Sequence, residues 1–310
     1  MSFGSWLELI TSGLITGGIY ALVALGLNLQ YGLMRVLNIA HGEFLMLGAF
    51  LSWAAHTQWG VSPLLMLPIS FVLLMALGML IHRLSFRRLT RTSPNLDVFE
   101  ARGLMVSFGL MFLVQNFAQL VWGGELRGYD FMAFPVVFPG PGGGAQFAAN
   151  KLLLLVLTLL ISAALILVLR KTLYGKGVRA LMQSPTGAQL VGIDTTRLHP
   201  LMFGIGLGLS GVAGCLLSMT YTLSPGMGEP YTVTALIVIT LGGFGSMGGA
   251  LVGGLALGVI EALGMHFTSP SLKALLSYAI FITVLLWRPN GLFVPRIPRP
   301  HEPLAMSHRP

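Results

Sequence analysis

The sequence predicts an all-α, polytopic transmembrane bundle of about eight or nine spans, some of them broken or re-entrant. Three observations predict it. Of 310 residues, 55% are hydrophobic and only 9% charged, against about 25% charged in ordinary soluble domains. Apolar runs close to the roughly twenty residues that cross the hydrocarbon layer as helix recur along the chain. The basic residues follow the resulting alternation of loops. Arg35, Arg83, Arg87, Arg88, Arg91, Arg102, Arg170, Lys171, Lys176, Arg179, Arg197, Arg288, Arg296, Arg299 and Arg309 fall on one side, and Arg127, Lys151 and Lys273 on the other. The positive-inside rule then predicts an outer N-terminus and a cytoplasmic C-terminus.

Nine segments qualify or nearly qualify as spans: about 10–30, 38–55, 63–82, 103–122, 152–169, 201–221, 232–243, 248–265 and 272–287. The first has no basic stretch before it and no small-residue cleavage site after it, so it reads as a retained span. The second carries His41 and Glu43 near its start, and the seventh is short and ends in Gly242-Gly243, so either can be broken or re-entrant. The stretch 123–150, with Pro135, Pro139, Pro141 and the run Gly142-Gly143-Gly144, predicts an outer surface loop. The stretch 170–200 predicts one or two short cytoplasmic helices around a break at Pro185, with basic residues on the leading edge. Residues 1–294 are expected to form one transmembrane domain, with that cytoplasmic segment at about 171–199. Residues 295–310 form a Pro-rich, basic cytoplasmic tail that is expected to be disordered.

Composition excludes several classes. A lone cysteine, Cys215, rules out a disulfide framework, a cysteine-built zinc site and an iron–sulfur cluster. The net charge of +8 sits in short loops and not on one aromatic-laced face, so no nucleic-acid partner is expected; lipid is. His41-Gly42-Glu43 lacks the cysteine pair that a zinc deaminase needs. There is no H-E-x-x-H, no G-x-S-x-G and no P-loop, so the chain is not expected to be an enzyme, to hold a metal or to carry a cofactor, and any ATP must be bound by a partner. Gly243 to Gly248 match G-x-G-x-x-G but join two apolar segments, which makes them a tight turn.

The residues that remain are candidates for packing or for a solute path. Gly13, Gly17, Tyr20, Ala24, Asn28 and Tyr31 share one face of the first span, which can pack closely against another helix or line a path. Gly204/Gly208, Gly249/Gly253 and Gly254/Gly258, each four apart, are further packing pairs. Asn38, His41 and Glu43 lie where a carboxylate is costly at the centre of a bilayer, so Glu43 belongs near the inner interface or in a wet cavity. Glu261, expected toward the outer end of its span, and Gln115, Asn116 and Gln119 read as packing or snorkelling groups. An ion-coupled secondary transporter using Glu43 or Glu261, and a membrane-embedded enzyme using His41 and Glu43, are the rival readings.

Four blocks resemble the branched-chain amino acid ABC permeases of the LivH type. They are residues 13–49, with Leu37-Asn38-Ile39-Ala40-His41-Gly42 and Met46-Leu47-Gly48-Ala49; Gly175-Lys176-Gly177 through Asp194; Gly242-Gly243-Phe244-Gly245-Ser246 through Ala250; and Arg288-Pro289-Asn290-Gly291-Leu292-Phe293. The resemblance implies a bacterial inner-membrane importer subunit that pairs with a second, LivM-like permease and two ATPase subunits holding ATP and magnesium. A periplasmic solute-binding protein delivers the solute. It implies branched-chain amino acids as solute, with urea and short amides, or aromatic and dicarboxylic acids, as alternatives within the family. By position it makes Lys176, Arg179, Gln183, Gly192 and Asp194 the ATPase-coupling residues. Tyr20, Asn28, Asn38, His41 and Glu43 become the translocation path, and Glu125, Arg127, Asp130 and Glu229 the docking residues for the binding protein.

Overall fold

A computed structural model describes residues 3–139, 144–267, 269, 272–288 and 291–293. The tail at 295–310 lies outside the described residues. The order is α1 (Phe3–Met34), α2 (His41–Trp59), α3 (Pro63–Ile81), a π-helical turn (His82–Phe86), α4 (Arg87–Thr92), α5 (Leu96–Trp122), β1 (Pro135–Phe138), β2 (Ala145–Ala148), α6 (Ala149–Lys171), α7 (Leu173–Gln183), α8 (Pro185–Leu190), α9 (Thr195–Ser218), α10 (Gly228–Gly242), α11 (Met247–Phe267) and α12 (Lys273–Trp287). All nine apolar segments are helical. Among the described residues, six helices are long and apolar enough to cross a membrane: α1, α3 with its π and α4 continuation, α5, α6, α9 and α11. The predicted count of eight or nine is therefore not reached by length and composition alone, because α2 is not among the six and α10 and α12 have 15 residues each. At about 22 Å they fall short of the hydrocarbon thickness.

The stretch 123–150 is more than the expected loop. Its second half carries two antiparallel strands, Pro135 opposite Ala148 and Phe138 opposite Ala145. Prolines block helix but are compatible with an edge strand whose N–H faces away from the partner. This hairpin marks one end of the bundle, hereafter the hairpin end; the opposite end carries α7 and α8.

Helices α1 and α9 form the buried centre, with α2 beside them, and glycine sets how closely they approach. A Cβ at Gly13 would lie 2.7 Å from Val259 Cα, and one at Gly17 2.8 Å from Gly254 O, so α1 and α11 pack backbone to backbone. Gly254 and Gly258 face Ala21 and Gly13/Gly17 in return. Gly204 and Gly208 admit Met75 and Phe71 of α3, while Gly249 and Gly253 lie against Gly242 and Val238 of α10. Lipid-soluble helices gain no hydrophobic drive from one another, so contacts of this kind hold the bundle.

The basic residues separate by end. Arg102 donates to Thr92 O, Arg170 lies near Gly248, and Arg179 donates to Leu169 O, all at the α7 end. Arg127 bridges to Leu223 at the hairpin end, where Lys273 opens α12.

Candidate functional site

Two helices begin inside the bundle. Past Arg35, which reverses the chain with φ 53°, the six non-helical residues 35–40 return into the bundle, and α2 starts at His41. There His41 Nε2–H donates to Val23 O (3.1 Å), and Ser210 Oγ donates to His41 O (2.8 Å). Val23 and Ser210 are both well inside their own long helices, so α2 starts at mid-depth and runs to the hairpin end, where Phe50 stacks on Trp122. The second of these helices, α10, does the reverse. The chain leaves α9 at the hairpin end, where Asn150 Nδ2 donates to Met219 O, descends through 220–227, and starts α10 at Gly228. From there α10 runs to the α7 end, where its closing turn meets Asn28.

The two starts touch. A Cβ at Gly228 would lie 2.7 Å from Gly42 O and 2.8 Å from both Glu43 Cδ and Glu43 N; a Cβ at Gly42 would fall on Gly228 O. Gly42 N–H donates to Thr232 Oγ1 (2.8 Å), which in turn donates to Ile39 O (3.1 Å). Neither helix has a side-chain N-cap. The first amides of α2 are already taken, His41 N–H by Asn38 O, Gly42 N–H by Thr232 and Glu43 N–H by Ala40 O, so what converges in the interior is the partial positive charge of two helix starts.

Glu43 lies at this junction. It is fully buried, and neither carboxylate oxygen has a hydrogen-bond partner. Its close charged neighbour is Glu229, in the first turn of α10 and exposed. A buried carboxylate left unpaired costs several kcal/mol, so such a group marks a place where something else binds.

The other path candidates divide. Asn28 is satisfied at both ends, accepting from Gly245 N–H (2.7 Å) and donating to Ser246 O (3.0 Å), so it grips the turn between α10 and α11. That turn contains two left-handed glycines, Gly243 and Gly245, which explains its glycine-rich sequence. Tyr20 OH donates to Glu261 Oε2 (2.8 Å), and Glu261 also accepts from Ser277 and pairs with Lys273 (3.3 Å). Asn38 donates to Gln30, and Gln30 to Phe203 O. The Asn38 Oδ1 and His41 Nδ1 acceptors are buried without partners. The His41 ring faces Gly26 of α1, away from Glu43. The structure therefore brings together Glu43, Glu229 and the two helix starts, not all five path candidates.

The coupling candidates lie on the α7 end. Lys176 and Gln183 are exposed along α7, whose Val178 and Leu181 are buried beneath it. Arg179 donates to Leu169 O and ties α7 to the end of α6. Gly192 turns the chain with φ 82°. Asp194 caps α9, accepting from Thr196 N–H (2.9 Å) and pairing with Arg197 (3.0 Å). Hydrogen bonds from Thr196 and the Arg197 charge hold its carboxyl below the usual range. Glu125 and Arg127 pair at the hairpin end (3.7 Å), in the same surface loop as Asp130; Glu229 is apart from them, at the buried crossing.

A family model described as the permease component of branched-chain amino acid transport systems matches residues 9–285. The chain belongs to this family. It is a multi-pass integral membrane permease component. Among its relatives, the high-affinity branched-chain amino acid transport system permease protein BraD of Pseudomonas aeruginosa is 30% identical, over 93% of this chain and 95% of that one. LivH of Escherichia coli is 32% identical over the same shares. LivM of Escherichia coli is 24% identical over 88% of this chain and 67% of that one. No solved structure matches.

Proposed function

We propose that the chain is the LivH-like half of a permease pair in an ATP-driven importer of branched-chain amino acids, and that the crossing of α2 and α10 is the closed point of the solute path. The unpartnered Glu43 carboxylate at that crossing is the observation that carries the solute assignment. An α-ammonium supplies three N–H donors and a positive charge to Glu43. The partial positive charge of the α2 and α10 starts suits the α-carboxylate, as broken helices do in other carriers. A dicarboxylic acid would be repelled by Glu43, and a neutral amide would bring N–H donors without the compensating charge.

The exposed Glu229 supports a partner on this side. It lies at mid-depth, where hydrocarbon does not cover a carboxylate cheaply. A second, LivM-like permease facing α10 would enclose it, so the path runs between the two chains. Glu125, Arg127 and Asp130 at the hairpin end then meet a periplasmic solute-binding protein, which puts the N-terminus outside and the C-terminus in the cytoplasm.

Two ATPase subunits dock at the α7 end, where Leu190 and Val191 are 84% and 75% exposed on a surface away from lipid. Lys176, Gln183 and Asp194 frame this surface, and Arg179 passes its tilt to α6. Alternation of access follows as a rigid-body change biased by ATP. Leu190→Asp with Val191→Asp should abolish stimulation of ATP hydrolysis by loaded binding protein, with thermal stability of this chain within about 0.5 kcal/mol of wild type because both sites are exposed. Undiminished stimulation would contradict docking at this surface.

A further inference from the structure

A separate cavity of about 580 Å³ opens at the α7 end, between the π-helical continuation of α3 and the start of α9. Three arginines line it: Arg83 and Arg87 from the π-helix and α4, and Arg197 from α9. Tyr174 and Thr196 add hydroxyl groups, and Met79, Pro200 and Leu201 form an apolar wall. Only Arg197 has a carboxylate partner, the exposed Asp194; Arg83 and Arg87 make no ion pair or side-chain hydrogen bond among the described residues. No carboxylate lines the cavity.

An excess of basic residues at this end is what membrane orientation alone requires. Convergence is not. Arg88, one residue from Arg87 and also exposed, does not line the cavity. Arg83 and Arg87, four residues apart, share one face of the continuous helix, the side on which α9 starts. The guanidinium groups lie at the ends of spanning helices, and the apolar wall continues up those helices. A soluble anion would use the first feature and leave the second idle.

We propose that this cavity holds the phosphate of an anionic phospholipid, with the acyl chains along Met79 and Leu201. Guanidinium forks suit phosphate oxygens bidentately, and basic clefts between helix ends are suited to anionic headgroups. The lipid joins α3 to the start of α9, next to the α7–α8 segment. At the usual attraction of one basic side chain for an anionic surface, the two unpaired arginines give about a 30-fold preference over a zwitterionic headgroup.

The test uses the assembled transporter, purified from membranes of defined composition, with retained phospholipid counted by native mass spectrometry. Wild type should keep about one phosphatidylglycerol or cardiolipin per copy of this chain, against phosphatidylcholine in excess. The triple variant Arg83→Gln, Arg87→Gln, Arg197→Gln should lose it. Arg88→Gln should keep it, and Lys at the three positions should restore part of it. Equal retention by wild type and the triple variant, or equal loss in Arg88→Gln, overturns the proposal. So does a cavity protected by inorganic phosphate with no retained lipid, which would make it a soluble anion site. If the triple variant does not assemble, Arg83→Gln alone should still lower retention several-fold; no change in it also overturns the proposal.

Discussion

Glu43→Gln should reduce solute uptake by about 10- to 100-fold while the protein becomes no less stable. The two halves of that expectation come from the same observation. Glu43 is buried with both oxygens unpartnered, so the folded state carries the desolvation of a carboxylate with nothing to offset it. An amide of the same shape removes that cost, and thermal unfolding should move upward or stay. Transport loses the charge-assisted contact to the ammonium, worth about 1.5–3 kcal/mol for a hydrogen bond to a charged group. A structural glutamate would show the reverse, with lower stability and transport following yield. Uptake and unfolding temperature, measured on one preparation, separate the two.

Gly228→Val is expected to remove transport altogether. Its side chain would begin 2.7 Å from Gly42 O and 2.8 Å from Glu43 N, both backbone atoms in a fixed helix start. Neither can step aside, so α10 must shift away from α2. Overpacking of this kind costs about 1–3 kcal/mol, and here it also separates the two helix starts. Gly253→Ala is the useful contrast. A Cβ there meets Val238 O at 3.2 Å, close enough to strain but with room for a small shift. Wild-type uptake in Gly228→Val would show that α2 and α10 do not meet in the working protein.

Hydropathy made the nine helices legible, because a long apolar run has few other solutions in lipid. The sequence also marked 38–55 and 232–243 as weak and open to being broken or re-entrant, though not where they start. Their weakness is that they start inside the bundle, and a window average does not register where a helix begins relative to its neighbours. Gly42 and Gly228 are 186 positions apart, and no spacing rule connects them. The partner of Glu261 was hidden for a similar reason: Lys273 opens the next helix, and only the packing of α12 against α11 brings it to 3.3 Å. The hairpin at 135–148 was masked by its prolines, which signal the absence of helix more strongly than the presence of an edge strand. On the α1 face, small residues and Tyr20 or Asn28 read alike as packing or path. The structure separates them by giving both polar groups protein partners, and it leaves Glu43, two residues from a similar-looking His41, with none.

Accumulation of labelled leucine in cells with and without this chain, with ATP depletion and collapse of the proton gradient as separate arms, tests the central claim most directly. Chain-dependent uptake should be abolished by ATP depletion, survive loss of the gradient and be competed by isoleucine and valine but not by urea. Uptake that persists without ATP and fails with the gradient would contradict the importer and make Glu43 a proton carrier. Chain-dependent uptake of urea or dicarboxylic acids, with none of leucine, would keep the permease and contradict the ammonium site.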